Sequence, residues 1–431
     1  MVSMSIKIKT ISIKKPEEFN YIFERAKDDL STAIEIIKPI VKEVEENGDE
    51  ALYKYTEKFD QVKLNQFKIL TENLDIQIPA EWKEALEIAK KNIREFHRIQ
   101  YKSKIETTVS GNRLGVKYTP IDSVAVYAPG GTALYPSSIL MGAIPAKIAG
   151  VKKLSLITPP PKNGEFSPAI LYAAQIAGVD TIYTLGGAQA VAAIAFGTET
   201  VEKAEFIVGP GNRYVTAAKT YLAGLGRIGI ESPAGPSEVL IIADDSANPN
   251  WIACDLLSQA EHGEDSISIL VTDSLNLAEK VRDEIDLAFQ TRPKRLNMKK
   301  KAIEENSIIL IVNDINEAFE FSNLYAPEHL EIITKNYNSD FEKITHAGSV
   351  FLGPYSPVAM GDYISGTNHI LPTAGGSRIY SSLSVDTFLK RVTFQEINQN
   401  SLKELYPYVK ILSDIEGLDE EHGNSVFVRT I

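Results

Sequence analysis

Cysteine is almost missing from this chain. Cys254 is alone among 431 residues, which excludes an internal disulfide and a cysteine-based zinc cluster. An excess of positive charge is missing as well. Against 57 Asp and Glu stand 45 Lys and Arg, and the net charge of −12 disfavours nucleic acid, because phosphate binding needs clustered cations. There is no basic amphipathic patch to suggest a membrane surface. No apolar run approaches the length of a membrane span, and the opening MVSMSIKIKTISIKK has no h-region of a signal peptide. It alternates polar and apolar, as a short strand does. The expected compartment is the cytoplasm.

What is present is an ordinary globular composition, 44% apolar and 24% charged, with enough chain for two or three packed domains. Residues 17–60 read as helices, with Ser31 and Thr32 as caps and Gly48 as a stop. A second long helix starts at Pro79, and 104–120 reads as a hairpin around "SGN". From 122 strand and helix alternate: "SVAVYAPGG", "SSILMGAIPAKIAG", "KLSLIT", "PAILYAAQIAG", "TIYTLGG", "AQAVAAIAFG", "AEFIVGPGN", "RYVTAAKTYLAG". A second such series begins at "EVLIIADD" and ends at "GSVFLG". That interval predicts α/β units with parallel sheets. Residues 356–384, rich in Gly, Ser, Thr and Pro, read as a long loop, and 385–431 as an amphipathic helix closing on a strand "SVFVRT".

Titratable residues gather in a few places. "LLSQAEHGED" puts Gln259 and His262 three apart, on one face of a helix end. That is half a metal site or a plain surface face. "GDYISGTNH" supplies Asp362 and His369, and "DEEHGNS" supplies His422. Together these donors would suit Zn²⁺ or Mn²⁺; apart, each reads as a solvated loop residue. His97, among charged neighbours, reads as a surface residue. "LYAPEHLEI" sets Glu328 beside His329 at the mouth of a buried strand. Adjacent residues on a regular strand face opposite sides, so an irregular strand entrance is needed for both to face a cleft. "VGPGNRYVTAAK" is strand, glycine turn, helix, where backbone N–H groups hold anions, but it lacks the third glycine of a dinucleotide fingerprint. "YAPGG" and "LGGAQA" also fall at strand ends, where open α/β sheets bind ligands. "ESPAGPSEV", with Ser237, joins the two series.

"YAPGG", "GGAQA", "GPGN", "AGPSEVLIIAD", "SQAEHG", "APEHLE" and "GDYISGTNHILPT", in this order and at these intervals, resemble the histidinol dehydrogenase family. The resemblance runs from about residue 30 to the end. It implies oxidation of L-histidinol to L-histidine through the aldehyde with two NAD⁺, in a homodimer that shares its active sites. It implies two incomplete Rossmann-like α/β domains with parallel-rich sheets, plus small terminal extensions. The expected boundaries are 1–22 as an N-terminal extension, 23–121 with 237–380 as the zinc and catalytic domain, 122–236 as the NAD-side domain, and 381–431 as a tail reaching the partner. By motif, Gln259, His262, Asp362 and the partner's His422 resemble zinc ligands. Glu328 and His329 resemble the acid/base pair, and Ser237, His369 and Glu416 substrate contacts. Tyr127, Gln189 and Asn212 resemble NAD contacts. Glu416 lies six residues before His422 where the family has five, so Glu420 and Glu421 compete for its role.

Alcohol oxidation needs a base for the hydroxyl proton, and an imidazole titrating near working pH suits that, which assigns His329. Hydrating the aldehyde needs an activated water, which assigns Glu328. The zinc would orient the substrate through its amine and imidazole. A tail carboxylate such as Glu416 would accept from the other imidazole nitrogen. Cys254, five residues before Gln259, reads as a small buried residue rather than a nucleophile. Two rivals use the same residues: a zinc hydrolase, needing no nucleotide cleft, and a binding module that keeps the fold without the chemistry.

Overall fold

The computed structural model describes residues 6–25, 30–72, 74–130, 134–162 and 165–431. Residues 1–5 of the expected N-terminal strand and Gly131 of "YAPGG" lie outside them. The strands, numbered along the chain, are β1 Lys7–Thr10, β2 Lys68–Leu70, β3 Lys104–Val109, β4 Asn112–Pro120, β5 Ser123–Tyr127, β6 Lys153–Ile157, β7 Thr181–Tyr183 and β8 Phe206–Val208. There follow β9 Gly229–Ile230, β10 Glu238–Ala243, β11 Ile267–Thr272, β12 Ile308–Ile311, β13 His329–Ile333, β14 Ser349–Leu352 and β15 Leu389–Glu396.

Two six-stranded sheets carry the fold, ordered β2-β7-β6-β5-β8-β9 and β1-β12-β11-β10-β13-β14. Within each, the five consecutive strands run 3-2-1-4-5 and the pairing is parallel. The order reverses beside the first strand of each set, between β5 and β8 and between β10 and β13. The sheets differ at the added edge: β1 pairs β12 in parallel, while β2 pairs β7 antiparallel. This is the expected α/β class with two incomplete Rossmann-like units. The strands are apolar runs because helices cover both faces, and β10 and β11 are buried at every position.

Several expected boundaries move. The helix Ser31–Asp60 packs its Ala33, Ile37, Val41 and Val44 with Ala190, Val191 and Ala217, and β2 joins β7. The helix Ala80–Arg98 packs against the helix Pro136–Ala149. These parts of 23–121 therefore close the 122–236 unit, not the 237–380 unit. The first residues do the reverse: β1 extends the second sheet, with Ile11, Phe19 and Ile22 in its core. Gly48 breaks the long helix as expected, with φ +50° and ψ −129°, but the helix resumes beyond it.

The tail also differs. β15 pairs antiparallel with β4 along its whole length, where helix was expected. "SVFVRT" lies in the short helix Asn424–Phe427 and the turn after it, not in a strand. The loop 356–384 holds the helix Val358–Tyr363 and a 3-10 turn at Gly376–Arg378. His97 is fully buried at the Ala89–Ile93–His97 stripe, its Nδ1 2.8 Å from the Ile93 carbonyl. No helix among the described residues is long and apolar enough to cross a membrane.

Candidate active site

The paired titratable residues sit at the amino ends of β10 and β13, where the strand order reverses. Val239 is registered with His329, so Glu238 and Glu328 stand side by side one residue earlier. The approach to β13 is irregular, as the paired side chains require. The helix Ile315–Tyr325 ends on Ala326 in the left-handed region, φ +57°, and Pro327 turns the chain into Glu328. A non-glycine residue there costs roughly 1–2 kcal/mol, and such strain collects at functional sites. Gly348 allows the neighbouring strand to approach: a Cβ on it would stand 2.6 Å from the Glu328 carbonyl oxygen.

Both side chains are buried, Glu328 at 6% and His329 at 5% exposure. His329 Nδ1 lies 3.0 Å from the Glu238 carbonyl oxygen, which can only accept, so Nδ1 carries a proton. Nε2 is buried without a hydrogen-bond partner and lies 3.8 Å from Asp362 Oδ1. Burial opposes protonation of this ring, but the Glu328 and Asp362 carboxylates outweigh it and hold the imidazole pKa well above the ordinary histidine value. Asp362 responds oppositely: burial pushes its pKa up, but His329, with His369 and His262 nearby, brings it below the usual value.

The neighbours form a cluster around this pair. His369 is fixed at both nitrogens, with Nδ1 2.9 Å from the Asp362 carbonyl and Nε2 3.2 Å from Ser138 Oγ. Asn368 donates to the Met141 carbonyl at 2.8 Å. Ser138 and Met141 belong to the helix after β5, so this loop joins the two units at the site. Ser237 lies next to Glu238 and its carbonyl accepts from Ile267. Gln259 is 2% exposed, and its Nε2 has no partner. His262 is exposed, two residues past the end of the helix Pro249–Ala260. A buried orphan amide, an imidazole and a carboxylate with low proton affinity form a donor set that fits a divalent cation. Among the described residues no three His, Cys, Asp or Glu side chains converge on one point. His422, Glu416, Glu420 and Glu421 are exposed on the tail, and no contact links them to this cluster. Cys254 is half-buried rather than buried, and accepts from Arg292 at 3.2 Å.

The other unit carries a cleft of about 1160 Å³ at the carboxyl ends of its strands. Tyr127 ends β5, and its hydroxyl accepts from Gly187 N at 3.1 Å. Gln189, on the following helix, is 1% exposed, and neither amide atom finds a partner. Asn212 caps the helix Arg213–Gly224, its Oδ1 accepting from Tyr214 and Val215 at 3.0 and 3.1 Å. All three line the cleft, with Ile36, Ile37 and Ile40 on the opposite wall. The turn before Asn212 is braced from behind. Gly209 has φ +109°, and a Cβ on it would collide with the Tyr127 carbonyl. Its N–H donates to Glu231 at 2.9 Å, and buried Lys219 bridges the Gly209 carbonyl at 3.0 Å and Glu231 at 2.8 Å.

A family model described as histidinol dehydrogenase matches residues 23–430. The chain is 62% identical to the histidinol dehydrogenase of Leptospira biflexa over 414 residues, covering 96% of each. It is 44% identical to that of Methanococcus maripaludis, covering 95% of this chain and 97% of the relative. The solved histidinol dehydrogenase of Elizabethkingia anophelis superposes with a TM-score of 0.92 at 38% identity, covering 98% of both chains. The chain belongs to the histidinol dehydrogenase family. It is thereby an oxidoreductase of histidine biosynthesis. An acetylating aldehyde dehydrogenase from Geobacillus thermoglucosidasius, 14% identical with a TM-score of 0.50, shares the fold alone.

The sequence reading missed three acids at the site: buried Glu238 behind Glu328, and half-buried Asp255 with buried Glu331 behind His329. Glu331 had a signal, since it interrupts the otherwise apolar strand "HLEII".

Proposed function

We propose that this chain oxidises L-histidinol to L-histidine through L-histidinaldehyde, with two NAD⁺ in succession and Zn²⁺ as resident metal. Gln259, His262 and Asp362 would hold the metal, with His422 supplied by a second copy of the chain. The exposed place of His422 on the tail supports that origin, as does the outward apolar face of the helix Gln399–Glu416, with Tyr408, Leu412 and Ile415. The metal supplies a Lewis-acid anchor for the amine and imidazole of the substrate. NAD⁺, in the cleft lined by Tyr127, Gln189 and Asn212, supplies the hydride acceptor.

The observation that carries the reading is the state of His329. Its Nδ1–H is committed to the Glu238 carbonyl and Nε2 has no hydrogen-bond partner, so Nε2 is the atom that can exchange a proton, acting as a base when the ring is neutral. In the first oxidation Nε2 takes the hydroxyl proton as hydride leaves the carbon. Glu328 then takes a proton from the water that adds to the aldehyde. The resulting diol loses a second hydride and becomes the carboxylate. Overall, one histidinol, one water and two NAD⁺ give one histidine, two NADH and three protons. Ser237, His369 and a tail carboxylate, Glu416 or its neighbours Glu420 and Glu421, would position the substrate. A zinc hydrolase would need no nucleotide cleft, and the 1160 Å³ opening weighs against it.

The test is an anaerobic titration of zinc-loaded protein with L-histidinol and excess NAD⁺. Two NADH per histidine, lost on chelation, is the expected result. One NADH with free aldehyde would remove the hydrating role of Glu328, and none would sink the dehydrogenase reading.

A further inference from the structure

Glu238 lies directly behind the acid/base pair and takes no part in the chemistry above. It is completely buried, yet every polar atom it owns is used. Its backbone N–H donates to Glu328 Oε2 at 2.8 Å. Its carbonyl accepts the His329 Nδ1 proton at 3.0 Å. Its own carboxylate then reaches back: Oε1 accepts from the backbone N–H of Glu328 at 3.2 Å and of Ala374 at 3.1 Å. Oε2 accepts from the Tyr325 hydroxyl at 2.6 Å, a bond also fully buried.

Two separated segments therefore meet on one side chain. Tyr325 and Glu328 bracket the short turn between the preceding helix and β13, and Ala374 lies five residues after His369. The strained positions gather here too. Ala326 follows Tyr325 with φ +57°, and Ala374 has φ +55°. Neither residue prefers that conformation, so something outside the local chain must hold it. The Glu238 carboxylate holds the N–H of Ala374 directly, and that of Glu328 two residues past Ala326.

We propose that Glu238, braced by Tyr325, is a positioning residue that sets Glu328 and His329 in one register and ties the loop bearing His369 to them. The inference rests on the acid/base reading of Glu328 and His329. A buried carboxylate beside a second carboxylate is costly, and it persists because three donors satisfy it. Apolar packing would fill the same space without that cost, but it would not orient two backbone N–H groups. Such outer partners tune the groups they hold.

The test compares Tyr325→Phe, Glu238→Gln and Glu238→Ala in the zinc-loaded full chain. Tyr325→Phe removes one hydroxyl and little volume. It should lower kcat about 10-fold while the KM for histidinol and the bound zinc stay within about 2-fold. Glu238→Ala should cost about 100-fold in kcat, and Glu238→Gln, which keeps an acceptor for both N–H groups, should recover most of it. The pH profile supplies a readout that mere stability would not move. The titratable groups facing Glu238 are Tyr325 and Glu328, with the Glu328 and Ala374 N–H groups beside them. Burial pushes the Glu238 pKa up to about 7, against the pull of Tyr325. Losing that hydroxyl should raise it further and shift the acid limb of kcat to higher pH. If Tyr325→Phe and Glu238→Ala lower only the melting temperature, leaving kcat per folded site and its pH limb at parental values, the proposal is overturned. Should Glu238→Ala fail to fold, the Tyr325→Phe result decides alone. His329→Asn separates the two levels. An active His329→Asn overturns the acid/base reading itself, whereas an inactive one beside unaltered Tyr325→Phe and Glu238→Ala variants overturns only the role of Glu238.

Discussion

The two sheets share one strand order and use opposite ends of it. In the sheet around β5 and β8, the cleft-lining residues Tyr127 and Asn212 stand at the carboxyl ends of the strands, where open α/β sheets bind ligands. In the sheet around β10 and β13, Glu328 and His329 stand at the amino ends, beside the same reversal of strand order. The difference follows from what each end offers. Carboxyl ends feed helix starts, whose N–H groups and turns accept anions and nucleotides. Amino ends receive helix ends, and here a left-handed Ala326 and Pro327 deliver two consecutive side chains into one cluster. Ser138, on the helix after β5, reaches His369 and brings the two ends together.

The comparison can be broken by variants that act on one sheet only. The largest effect should come from His329→Asn, which removes the proton-exchanging Nε2. It should cut kcat by about 10³-fold while the KM for NAD⁺ stays within about 2-fold, measured by steady-state NADH formation. Gln259→Leu should come next, filling the space of the orphan amide with apolar volume. The zinc dissociation constant, measured by chelator competition, should rise about 10- to 100-fold with the fold retained. Lys219→Met acts on the other sheet. It leaves Glu231 charged and buried, and should cost about 3 kcal/mol of stability in denaturant unfolding while raising the KM for NAD⁺. The double change Lys219→Met with Glu231→Leu should cost less than the single one. The smallest effect is a shift of pH. The Glu328 carboxylate raises the His329 proton affinity, and a base must be neutral to work. Glu328→Gln should therefore move the pH limb of the alcohol step to lower pH. A limb that moves up or stays would count against the pairing.

Much of this was legible in the sequence because both α/β series have apolar strands at a regular interval, and burial on two faces writes that pattern strongly. What was illegible has local physical causes. β15 is exposed along nearly its whole length, so no apolar stripe marks it. "SVFVRT" has β-branched residues, but the tail gives it no strand to pair with, and it coils into a helix and a turn. His97 is hidden by charged neighbours because only every fourth residue of its helix turns inward. The attachment of the helix Ser31–Asp60 to the unit that follows it depends on β2, three residues long, pairing with a strand more than a hundred residues away. The motifs singled out Glu328, His329, Asp362 and His369, and close approaches link Glu328 to His329, His329 to Asp362 and Asp362 to His369. His422 and Glu416 are exposed on the tail.

The division of labour between His329 and Glu328 is the central claim, and a single-turnover experiment on zinc-loaded Glu328→Gln tests it most directly. Enzyme in excess over L-histidinol, mixed with saturating NAD⁺, is followed by absorbance and by assay of aldehyde and histidine. The account predicts one NADH per histidinol at a rate near that of the parent protein, with aldehyde accumulating before any second NADH. Two NADH released at parental rates, or no NADH at all, would contradict it.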